Sequence, residues 1–128
     1  QRITLHTNDG KTGYRIVKFE ILPATPGDAS AEHCVKIYKT EQTSIDDNID
    51  FSDNRLLGAA VYAAGSSTSY PQVQTSVIFD NEIFNQDIYI THIEGVAAFN
   101  FNYYIELEVI PLDDAGAEYT TLKDMRST

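Results

Sequence analysis

The sequence predicts an all-β fold: an antiparallel β-sandwich of jelly-roll or immunoglobulin-like type with about eight strands. Three observations carry this expectation. Almost every apolar run alternates with period two, turn-forming clusters recur at intervals of roughly ten residues, and only AEYTTLKDMR, residues 117–126, has the composition of a short helix.

The elements follow in order. RITLH carries Ile3 and Leu5 at period two, TNDGKTG supplies an Asp-Gly turn, and YRIVKFEIL sets Val17, Phe19 and Ile21 against Lys18 and Glu20. Together they predict a hairpin. PATPGDASAE interrupts the pattern as an exposed loop, and HCVKIYKT resumes it with Val35 and Ile37 opposite Lys36. EQTSIDDNIDFSDN is a polar, acidic loop and RLLGAAVYAA an apolar strand of small residues. GSSTSYP is a second loop, entering QVQTSVIFD, where Val73, Thr75, Val77 and Phe79 share a face. DIYITH and NYYIELEVI complete the set. The latter places Tyr103, Ile105, Leu107 and Val109 on one side and Tyr104, Glu106 and Glu108 on the other, the pattern of a half-solvated sheet. Between QVQTSVIFD and DIYITH, FDNEIFNQD reads as a connection: DNE turns, Ile83 and Phe84 tuck under the sheets, and NQD satisfies backbone groups before Ile88.

Length and charge bound the rest. A chain of 128 residues forms a single domain, 1–128, able to bury roughly two thirds of its unfolded surface. No internal repeat or linker divides it, and no apolar run approaches a membrane span. The net charge of −10 argues against a nucleic-acid partner, which needs clustered cations to neutralise phosphates. Cys34 is the only cysteine, so no internal disulfide forms, and its strand context predicts a buried, inert thiol.

No catalytic or cofactor motif is legible. Asp46, Asn48 and Asp50 have the alternate spacing of a calcium loop, but Phe51 stands where that loop needs Gly and Leu57 where it needs a bidentate Glu. GKTG, residues 10–13, lacks the upstream Gly and the following helix of a phosphate loop. His6, His33 and His92 lie on separate predicted strands without metal-ligand spacing. Ser66, Ser67 and Ser69 lack a nucleophile elbow, and Glu106 and Glu108 share one strand where glycosidic carboxylates face each other across a cleft. The expectation is a protein that is not an enzyme, with no cofactor and no metal needed for folding. Eight tyrosines and six phenylalanines could instead build a sugar-stacking platform or a subunit interface. Tyr70 in its loop and the outward Tyr89 and Tyr104 are the candidate contacts.

The ordered blocks GYRIVKFEI, EHCVKIYKT, DFSDNRLLGAAVY, VIFDNEIFNQDIYITH, NYYIELEVIPL and TLKDMR resemble small virion-associated proteins in tailed phages of marine bacteria. The resemblance implies a non-enzymatic structural subunit on the exterior of the virion, a capsid decoration or cement protein or else a tail- or fibre-associated one. Its implied partners are copies of itself and other virion proteins, the major capsid protein or tail proteins. The rival from another class is a carbohydrate-binding module.

Overall fold

The structure, a computed structural model, describes residues 1–5, 11–24, 32–63, 73–79, 81–94 and 100–126. It is built mainly of antiparallel strands: β1 (Arg2–Ile3), β2 (Thr12–Pro23), β3 (Glu32–Tyr38), β4 (Leu56–Ala63), β5 (Val73–Ile78), β6 (Ile88–Glu94) and β7 (Phe101–Pro111), followed by the helix α1 (Asp114–Arg126). One sheet has five strands in the order β1-β6-β3-β4-β5, and the other is a ribbon of β2 and β7. A single core joins them: Tyr14, Ile16, Phe19 and Ile21 of the ribbon cluster with Val35, Ile37, Leu57, Ala60, Tyr62, Ile88 and Ile90 of the larger sheet. Among the described residues no helix is long and apolar enough to cross a membrane.

The expected hairpin of the first two strands does not form, because β1 pairs with β6 and β2 with β7. Gln1 and Ile90 exchange both backbone hydrogen bonds, at 2.8 Å each, and Arg2 forms an ion pair with Asp87. Asp87 also accepts the Leu5 amide at 2.9 Å. Burial pushes its carboxyl up, but the Leu5 amide and the Arg2 guanidinium outweigh that and hold it below the usual value. The Asp-Gly turn signal itself lies outside the described residues.

Strand β2 corrects a second expectation. Its register against β7 slips between Ile16 and Lys18, which leaves Val17 as the extra residue of a bulge. One inserted residue reverses the parity, so Tyr14 and Ile16 face the core before the bulge and Phe19 and Ile21 after it, while Val17 is exposed. In strand β5, Thr75 and Val77 are exposed, and Ile78, of the opposite parity, packs on the core. Strand β7 alternates as expected as far as Leu107, but Val109 is exposed.

The helix begins at Asp114, three residues earlier than its composition suggests, because Asp113 caps it. The Asp113 carboxylate accepts the Gly116 amide at 2.6 Å and its carbonyl accepts the Ala117 amide at 2.7 Å. The helix docks through Ala117, Thr120 and Thr121, and Asn85 anchors it from beneath. The fully buried Asn85 amide donates to Thr121 Oγ1 at 2.7 Å and to the Ala117 carbonyl at 3.4 Å. Asn85→Ala is therefore expected to destabilise the fold by about 1–3 kcal/mol, the cost of orphaning a buried polar partner. Amide exchange should quicken in α1 before it does in β3, and uniform acceleration across both would show that Asn85 does not anchor the helix specifically.

Candidate functional site

The segment before β6 is held to several other parts of the chain. Gly13 lets it lie across the start of β2, since a Cβ there would stand 3.0 Å from Ile83 Cγ2. Phe84 then pairs with Tyr14 in an isolated antiparallel bridge. Glu82 accepts the buried Lys39 ammonium at 2.7 Å, Asn85 holds α1, and Asp87 holds β1. These groups tie three parts of the chain to one connection, so they are structural.

The acidic loop is structural as well. Lys36, on the outer face of β3, is 3 % exposed because residues 40–55 fold over it. Its ammonium donates to Asp46 Oδ1 at 2.9 Å and to the Asn48 carbonyl at 2.8 Å, and Asp50 Oδ1 accepts the Ser52 amide at 2.9 Å. The oxygens with calcium-loop spacing are thus engaged by an internal cation and by a turn. Cys34 lies on the same outer face, and burial pushes its thiol up, away from the reactive thiolate.

The candidate contact residues do not form one site. Tyr70, the serine loop and His6 lie outside the described residues. Tyr89 is half-buried on the outer face of β6, paired in register with Arg2 and Tyr38. Tyr104 stands on the ribbon, with its hydroxyl donating to Glu106 Oε1 at 2.6 Å and the Lys18 ammonium 5.7 Å from its ring centre. That hydrogen bond is the main reason its phenol is held above the usual value. Glu108, the other carboxylate of that face, pairs with Arg15. Tyr104 borders a groove of about 800 Å³ between the ribbon and the β4–β5 edge, lined also by Glu20, Gln74, Thr75, Ser76, Asn102 and Tyr103.

Two histidines do meet, against their expected dispersal. β3 and β6 are neighbours, with His33 opposite Glu94 and Val35 opposite His92, so inward-facing His33, His92 and Glu94 converge at one end of the core. His33 Nδ1 lies 2.8 Å from His92 Nε2 and 3.2 Å from Glu94 Oε2. Burial lowers the His92 pKa, and neighbouring His33 adds to that effect while Glu94 opposes it. The single-sequence signal was only the spacing of His92 and Glu94, two apart on one strand; the register that brings in His33 is a tertiary fact.

Strand β7, eleven residues long, pairs only with β2 among the described residues, which leaves its other edge without a ladder. Over residues 115–122 of the helix, Ala117 and Thr120 are the buried side chains, while Tyr119 and Leu122 stand 69 % and 58 % exposed on consecutive turns. Leu22 and Val109 add exposed apolar surface on the ribbon. No protein-family model, curated protein or solved structure gives a significant match to the chain.

Proposed function

We propose that this chain is a non-enzymatic structural subunit of a tailed-phage particle, a decoration or cement protein on the capsid exterior. It assembles with copies of itself and with the major capsid protein; a tail- or fibre-associated position is the alternative. The two sheets are then the halves of a small β-sandwich, of jelly-roll or immunoglobulin-like type, that presents fixed surfaces to its neighbours. The phage setting rests on the resemblance of the residue blocks. The assembly reading rests on one observation, the apolar residues placed where a solitary domain would put polar ones, Tyr119 and Leu122 on the outer helix face; the β7 edge that has no ladder among the described residues adds to it. Contacts spread over a lattice give collective stability from individually weak interfaces, with no reacting group required.

Salt tests it. Burial of apolar surface survives high ionic strength, whereas repulsion between copies carrying −10 each is screened. Sedimentation should show association that holds or strengthens as salt rises, and the double variant Tyr119→Ser, Leu122→Ser should weaken it by about tenfold or more. A chain that stays monomeric at high concentration in low and high salt, and does not bind stripped particles, would end this reading.

The groove beside Tyr104 favours a second reading, a carbohydrate-binding module. Tyr103 and Tyr104 line the groove with Asn102, Ser76 and Glu20, residue types whose rings, amide, hydroxyl and carboxylate suit sugars. Saturable glycan binding abolished by Tyr104→Ala but untouched by Tyr89→Ala would select it, because the two tyrosines stand on different sheets.

A further inference from the structure

We propose that His33, His92 and Glu94 form a binding site for a divalent first-row cation of the zinc class, set between the sheets at one end of the core.

The donor set is two imidazole nitrogens and one carboxylate oxygen, all within 4.8 Å of one another. Zinc bonds of about 2.0–2.1 Å in a tetrahedron hold their ligand atoms roughly 3.3 Å apart. The His33 Nδ1 to Glu94 Oε2 distance of 3.2 Å already meets that requirement. The His33 to His92 distance of 2.8 Å is a hydrogen-bond separation, and a turn of the half-buried His92 ring that opens it by about half an ångström admits the ion.

The surroundings suit a ligand set better than a solitary histidine pair. The His33 side chain is 1 % exposed, and its Nε2 has no hydrogen-bond partner among the described residues. Among the described residues neither neutral tautomer satisfies both of its nitrogens, because the hydrogen-bonding contacts are made at Nδ1. As a ligand through Nδ1, His33 would carry its proton on Nε2, in surroundings that include the rings of Tyr62 and Phe101, with centres 6.1 and 5.9 Å from its own.

Glu94 is oriented for the same purpose. Its Oε1 accepts the Glu32 amide at 2.9 Å, which fixes the carboxylate and turns Oε2 toward the histidines, the kind of outer support that ligating carboxylates have. Two imidazoles with one carboxylate select zinc and its first-row neighbours over calcium or magnesium, which take oxygen ligands. Three protein donors leave a coordination position for water.

The test uses the full chain, stripped with a chelator and titrated with Zn²⁺ by calorimetry. One equivalent should bind, and His92→Gln and Glu94→Gln should each weaken binding by about tenfold or more. Circular dichroism in chelator shows whether each variant is folded. Independently of any variant, Zn²⁺ should shift the imidazole ¹⁵N resonances of His33 and His92, and Co²⁺ should give the visible absorption of a four- or five-coordinate site. Absence of Zn²⁺ binding, affinity unchanged in both folded variants, or unmoved His33 and His92 resonances would each overturn the proposal.

Discussion

Phe84→Ala is expected to lower the unfolding free energy by about 3–5 kcal/mol, the largest single-residue effect foreseen for this chain. Phe84 is 1 % exposed and stacks on Tyr14, ring centres 6.3 Å apart and planes 28° from parallel. Removing the ring loses the transfer of its apolar surface, and the resulting cavity cannot readily collapse. Backbone bonds hold the site open: the Tyr14 amide donates to Phe84 at 2.8 Å and the Phe84 amide donates to Tyr14 at 3.0 Å. A domain of this size has roughly 5–15 kcal/mol in total, so the variant sits near the threshold of folding. Urea titration should show a lower midpoint with an unchanged slope. Phe51→Ala is the control: its ring is 57 % exposed and meets Phe79 only edge-on, and its cost should stay within about 0.5–1 kcal/mol. A Phe84→Ala loss no larger than that of Phe51→Ala would mean that the segment is not a plug of the core.

What the sequence alone makes legible is local. The alternation of Tyr103, Ile105 and Leu107 against Tyr104 and Glu106 is a property of one strand, and it survives in the fold with the same faces. The same logic misplaced Val17, because a bulge is an event between two strands and a single run of residues does not announce it. It also gave no sign of the burial of Lys36. Period two correctly put Lys36 opposite Val35 and Ile37, but that residues 40–55 cover this outer face is a tertiary fact. The histidine pair was hidden for a third reason: 59 residues separate His33 from His92, and only the β3–β6 register makes them neighbours. The polar residues flanking Phe84 were legible as a connection, but that Glu82, Asn85 and Asp87 each reach a different element is a tertiary fact.

The second large effect concerns Lys36, where packing and charge can be separated. Burial pulls its ammonium down, but Asp46 and Tyr38 reverse this and the group stays charged, with its pKa above the usual lysine value. Asp46 in turn is held below the usual carboxylate value, chiefly by the Lys36 hydrogen bond. Lys36→Ala removes three buried methylenes, and at about 0.8 kcal/mol each the loss is roughly 2–3 kcal/mol. It also releases the tether to Asp46 Oδ1 and the Asn48 carbonyl. Lys36→Met keeps most of the stem and dispenses with a desolvated charge, so relief of desolvation offsets part of the lost hydrogen bonding and the stability change should be the smaller of the two. The loop should loosen equally in both variants, since neither has a donor at that position. Exchange at the Asn48 amide, which donates to Asp46 Oδ1 at 3.2 Å, reports the loosening directly. If Lys36→Met were instead as destabilising as Lys36→Ala while the Asn48 amide stayed protected, the ammonium would be stabilising the sheet itself. The loop would then be held over β3 by something other than this cation.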